Sequence, residues 1–304
     1  MDGLPIRPTN KELRIHLLMP LGSSVLVILG LLLLKRAQEH GASAWTTMIL
    51  VCWASGAVFI LLTLLGGTMQ PVSLWWQPAL IGGLYLLGQL LMFSAVKWGD
   101  VSIAAPVLGV KVVMVPAVAM LVVDEASSPR IWLAAAVALV GVVFLQLTDA
   151  TVQRSRVLAA VAFSLLAALT MTLFDLLIQR WAPAWGPGFF LPLAFGFSAL
   201  YSIAFLPLAE RPRELSKRDI WLPLLVGSVL MAFQAIGMTL TLAQYGDATR
   251  VNIVYSLRGL WGVLLTWLLS ERLRITNQLP SNRLMLLRLI GALLIAAAVI
   301  ISVG

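Results

Sequence analysis

Long apolar runs alternate with short polar breaks along this chain. A membrane-spanning helix needs about 20 mostly apolar residues. Ten runs meet that length, at roughly 15–34, 44–65, 74–96, 101–123, 131–148, 157–179, 188–208, 219–243, 248–270 and 284–303. The breaks between them include Gly66-Gly67, Lys97 to Asp100, Asp124 to Arg130 and Glu210 to Asp219. The runs are continuous and lack the ten-residue alternation of a membrane β-barrel, so they predict helices. Trp75, Trp76, Trp98, Trp132, Trp181, Trp185 and Trp221 fall near predicted helix ends, where an indole ring favours the headgroup level. The longest connections, 210–218 and 271–283, are too short for a folded domain. The expectation is an all-α integral membrane protein. A polar N-terminal segment, 1–14, leads into one membrane domain.

Composition agrees. Of 304 residues, 60% are hydrophobic and 11% charged, against about half and about a quarter in soluble domains. A mean hydropathy of +0.96 excludes an ordinary soluble fold, and disorder as well. The net charge of +8 is of the kind that sets topology and meets lipid headgroups. No nucleic-acid partner is expected. The lone Cys52 lies in an apolar run and forms no internal disulfide. No cleaved leader is expected, because the first run ends in Lys35-Arg36, well before the small residues Ala42-Ser43-Ala44.

The chain also repeats itself. Ala95-Val96-Lys97-Trp98-Gly99-Asp100 resembles Leu242-Ala243-Gln244-Tyr245-Gly246-Asp247, 147 residues later. At the same offset Lys111 falls on Arg258 and Asp124 on Glu271, and after a small insertion Gly141 falls on Gly291. Two five-helix halves follow, 15–148 and 157–303. Five is odd, so the second half crosses in the opposite sense. Inverted repeats of this kind build many secondary transporters, whose solute sites lie near the midplane between the halves.

Ten spans in two such halves, with short loops, resemble the EamA-like branch of the drug/metabolite transporter superfamily. The segment from Tyr255 to Leu273, which ends Ser270-Glu271-Arg272-Leu273, is similar to the end of that family's ninth helix. Asp124-Glu125 marks the same place in the first half. Many members carry a proline about 13 residues before the acidic residue. Here Lys111 and Arg258 stand at those positions. The resemblance implies ten helices, solute transport and cytoplasmic termini. The basic residues point the other way. Five (Arg7, Lys11, Arg14, Arg130, Arg180) lie on the N-terminal side and twelve on the opposite side, which puts both termini outside.

Charges at the bilayer centre are costly and face a cavity or a partner. Lys111 and Arg258 each lie ten residues into a span, about 15 Å deep at 1.5 Å per residue. Together they form a candidate cationic site for an acidic group, Arg258 as a planar fork and Lys111 as a point charge. A structural ion pair is the other reading. Asp175, about four residues from the end of the sixth run, is a counter-ion to those cations, a proton carrier, or an interface residue beside Arg180. Asn252 and Tyr255 share the Arg258 face of the ninth helix, Tyr85 and Gln89 a face of the third, and Gln234, Met238 and Thr241 a face of the eighth. These line the cavity or make ordinary interhelical hydrogen bonds. Gly22, Gly82-Gly83, Gly88, Gly141 and Gly262 read as close-packing positions.

No catalytic, metal or cofactor motif is present, and no nucleotide loop. The triplets ending at Asp100 and Asp247 sit in connections, where Gly and Asp serve tight turns. The expectation is a secondary transporter or exporter of a small organic solute with an acidic group: an amino acid, a carboxylate or a phosphorylated metabolite. It would work by alternating access, as a monomer or homodimer, in a bacterial inner membrane. The alternatives are a membrane-embedded enzyme acting on a lipid or isoprenoid phosphate, and a non-transporting assembly or receptor subunit.

Overall fold

A computed structural model describes residues 16–98, 109–123, 127–146, 154–210, 215, 220–262, 264–265 and 282–303. The N-terminal segment 1–14, Asp100, the Asp124-Glu125 pair and Glu271 lie outside the described residues. Among the described residues the chain is helical. Its elements are α1 (Leu18–Glu39), α2 (Ala44–Phe59), α3 (Trp76–Trp98), α4 (Lys111–Val122), α5 (Pro129–Gln146), α6 (Arg154–Trp185), α7 (Pro187–Ser202), α8 (Trp221–Tyr245), α9 (Ala248–Tyr255) and α10 (Asn282–Val303). Among the described residues, six segments are long and apolar enough to cross a membrane, and α4 and α5 are shorter apolar helices. In hydrocarbon a segment must satisfy its own backbone, which is why such runs become helices.

Local chemistry sets the ends. The Ser43 hydroxyl accepts from Thr46 N and caps α2. Gly186, at φ +75°, turns the chain between α6 and α7, and Pro187 then opens α7. Both α2 and α7 finish in a 3-10 turn, Ile60–Leu65 and Ile203–Leu208. The main packing pairs are α1 with α8, α3 with α6, α5 with α10, α3 with α7, α2 with α8, and α2 with α7.

The surface is inside-out relative to a soluble protein. Leu64, Leu121, Leu222 and Ile300 are more than two-thirds exposed, while Ser55, Ser198, Thr241 and Ala138 are fully buried. Small residues at helix crossings let backbones approach. A Cβ on Gly82 would lie 2.5 Å from Ala194 O, and one on Gly141 2.8 Å from Gly291 O. Among the described residues, Gly22 has no neighbour within 4 Å of its missing Cβ. Trp185 also differs from expectation. It is fully buried and donates its indole N–H to Gln77 Oε1 at 2.9 Å.

Candidate functional site

α6 runs to Trp185, six residues past the apolar run that predicts it. Asp175 therefore stands ten residues from the helix end, about 15 Å along it. Arg180 does not attend it. That side chain donates to Val122 O at 2.6 Å. Asp175 is 3% exposed and meets Lys111, whose Nζ lies 2.7 Å from Asp175 Oδ2. Asn252 Nδ2 donates to the same oxygen at 2.7 Å and to Ala248 O at 2.9 Å. One carboxylate thus gathers α4, α6 and α9. Its two partners are one opposite charge and one neutral donor.

The start of α9 is fixed from several sides. Asp247 adopts the left-handed conformation at φ 58° and accepts from Arg250 N. The Arg250 guanidinium lies 2.9 Å from Asp247 Oδ2 and donates through Nε to Ser302 O of α10. Gln179 of α6 accepts from Ala248 N. The pairing of Asp247 with a basic residue three positions on is legible in the sequence as a helix-start signal, although the sequence reading left it unused.

Past Tyr255 the helix tightens. Ser256 N reaches Ile253 O, Leu257 N reaches Val254 O and Gly259 N reaches Ser256 O, all three-residue steps. In such a turn side chains three apart eclipse. This brings the Arg258 guanidinium over the Tyr255 ring, 4.7 Å from its centroid, a cation–π contact. No carboxylate lies within salt-bridge distance of Arg258 among the described residues. A second backbone turn, at Val110, immediately precedes Lys111.

Several of these residues border one cleft, with a cavity volume of about 40 Å³. Lys111, Asn252, Tyr255 and Arg258 supply its polar wall, and Val142 and Leu145 of α5 its apolar wall. The other residues singled out in the sequence lie elsewhere. Tyr85 is buried in an aromatic cluster with Phe174 and Phe195, with Gln89 and Ser55 beside its hydroxyl. Gln234 is buried on α8 and does not border the cleft.

A further polar junction, to which the sequence gives no clear signal, ties the start of α2 to the residues that follow the 3-10 turn after α7. Glu210 accepts from Ser43 N at 3.1 Å, from the Ser43 hydroxyl at 2.9 Å and from the Thr46 hydroxyl. Partial burial pushes the Glu210 carboxyl up, but donation from Thr46 and Ser43 outweighs it and holds the group below its ordinary value.

Residues 14–147 match the sequence model of the EamA-like transporter family, a family of membrane transporters of small solutes. No curated protein matches the chain by sequence. The fold matches 29 chains of solved structures. One is a crystal structure with a TM-score of 0.66 and 21% identity, covering 95% of this chain and 96% of its own. At that identity the likeness is one of fold. The match covers Asp124-Glu125 but not the Tyr255–Leu273 stretch, so over residues 14–147 the chain is similar to EamA-like transporters.

Proposed function

We propose that this protein is a secondary transporter of a small organic solute bearing an acidic group, and that Arg258 holds that group. One observation carries the reading. Arg258 borders a cleft within the helix bundle and has an aromatic ring, not a carboxylate, beside it. A guanidinium so placed suits a carboxylate or phosphate fork to fork. Lys111 and Asn252 border the same cleft, and both contact the Asp175 carboxylate.

The architecture in this reading is ten spans in two inverted halves. The packing supports it. If each helix of α1 to α5 is exchanged with the one five places on, α1–α8 becomes α6–α3, α2–α8 becomes α7–α3, and α4–α6 becomes α9–α1, all of which pack together. The pairs α2–α7, α4–α9 and α5–α10 map onto themselves, and they also pack. The backbone turns beside Lys111 and Arg258 stand at matching positions, Val110 and Leu257, one repeat offset apart. Paired interruptions of this kind mark solute sites in such folds.

The test is uptake into proteoliposomes of labelled carboxylates, amino acids, phosphate esters and cationic drugs, by wild type and Arg258→Gln. Anionic or amino-acid solutes should be carried by wild type, and at least tenfold more slowly by the variant. Transport of cationic drugs alone, equal in both proteins, would refute the reading. Metal-dependent turnover of a lipid phosphate would decide for an enzyme.

A further inference from the structure

The cleft has a charge count. Among the described residues, the charged groups that line it are Lys111 from α4 and Arg258 beyond α9, and Asp175 from α6 joins the count through its ion pair with Lys111. Nothing from α5 adds to them, since that wall is Val142 and Leu145. Asp175 and Lys111 are in contact at 2.7 Å, with side-chain exposures of 5% and 16%. They cancel. Among the described residues Arg258 remains, and these groups together carry one positive charge in excess.

A confined site with low water content favours a ligand that brings its net charge to zero, because an uncompensated charge there is poorly solvated. A dianion would leave the site one negative charge over, unless it drew Lys111 off Asp175 and left that carboxylate buried without its cation. A zwitterion would leave the positive excess in place. We infer that Asp175 sets the charge of the accepted solute. By cancelling Lys111 it leaves a single cation, Arg258, which selects a monoanionic head group, a carboxylate on a neutral and partly apolar body, over dianionic phosphate esters and zwitterions. This rests on the reading of the cleft as the solute site and narrows the substrate class within it.

The experiment uses the full chain in detergent and three probes of matched body at pH 8: n-butyrate, norvaline and n-butyl phosphate. Affinity is read from ligand-dependent unfolding, since a ligand that binds only the folded state raises its apparent stability. Wild type should bind butyrate at least tenfold more tightly than either other probe. Asp175→Asn, with two cations uncancelled, should shift the butyrate-to-butyl-phosphate ratio at least tenfold towards the dianion. Asp175→Asn combined with Lys111→Gln restores a single excess charge and should restore the wild-type ratio. It also supplies the comparison if the single variant fails to fold. Arg258→Gln should lose butyrate binding. A wild type that binds butyl phosphate or norvaline as tightly as butyrate overturns the inference, as does a ratio unmoved by Asp175→Asn. In either case loss of binding in Arg258→Gln would leave the transport reading standing. If no anion stabilises wild type, both fall.

Discussion

The α5–α10 crossing gives the sharpest quantitative test of the packing behind the cleft. Gly141 and Gly291 face each other there, each beneath the other's carbonyl. A Cβ on Gly291 would sit 2.6 Å from Gly141 O and 2.8 Å from Leu145 N, where ordinary contact begins at 3.4 Å. The helices would have to part by roughly 0.6–0.8 Å, because a backbone obstacle does not rotate away. Overpacking of this sort costs about 1–3 kcal/mol, and the better helix propensity of Ala returns up to about 1 kcal/mol. Gly291→Ala is expected to destabilise by about 1–2 kcal/mol. For Gly141→Ala the obstacles are Ile295 Cγ1 at 2.7 Å and the backbone oxygen of Gly291 at 2.8 Å, so the helices must again part and the expected cost is likewise about 1–2 kcal/mol. The two share one gap. Once the helices have parted for the first methyl, the second fits more easily, and the double variant should cost less than the sum by at least about 0.5 kcal/mol. The assay is equilibrium unfolding in mixed micelles, read as a double-mutant cycle. Solute binding should weaken in parallel, since Leu145 borders the cleft and its backbone lies against Gly291. A Gly291→Ala protein as stable as wild type would refute the reasoning, as would strict additivity in the double variant.

Three further outcomes follow from the polar contacts. Lys111→Met strips Asp175 of its cation and should destabilise by about 3 kcal/mol, whereas Lys111→Met with Asp175→Leu should return close to wild type, because an isolated buried charge costs more than an apolar replacement; the same unfolding titration reads both. The depressed Glu210 carboxyl contributes stability that is present above its unfolded value of about 4.3 and is lost as pH falls through the lower folded value. The stability gap between wild type and Glu210→Gln should therefore shrink as pH drops from 6 to about 3.5, and a gap that widens with acid would contradict the assignment. Arg250→Gln gives up a partly exposed pair with Asp247 and a bond to Ser302 O. It should cost about 1 kcal/mol and speed amide exchange at the start of α9 relative to α2.

Much of the architecture was legible because hydrocarbon imposes a single rule. A continuous apolar run must become a helix, so α1, α2, α3, α7, α8 and α10 fall on predicted runs. The matched cations at 111 and 258 were legible as well, since charge within such runs is rare enough to show the repeat. Partners were not legible. Hydropathy cannot say whether Lys111 points at Arg258, at solute or at a carboxylate 64 residues along the chain. That is decided by how α4 and α6 cross, and the crossing depends on small residues whose spacing looks the same at every helix contact. Gly22 and Gly141 look alike in sequence, yet one meets nothing and the other a backbone.

Asp175 shows where local reasoning misleads. Gln179-Arg180-Trp181 reads as a helix end, with a polar pair and an interfacial indole, and that reading pushes Asp175 to the membrane surface. In the folded protein the polar pair is spent on other helices. Gln179 accepts from the first amide of α9, and Arg180 donates to Val122 O at the end of α4. Free amides and carbonyls at helix ends must be met by something, and here a side chain from a neighbouring helix meets them. A polar residue in a membrane sequence can thus mark the end of another helix and not its own. Only the crossing geometry distinguishes the two cases. In this chain that distinction favours the counter-ion reading of Asp175 over the interfacial one and, among the described residues, pairs Lys111 with a carboxylate while Arg258 has none in salt-bridge range.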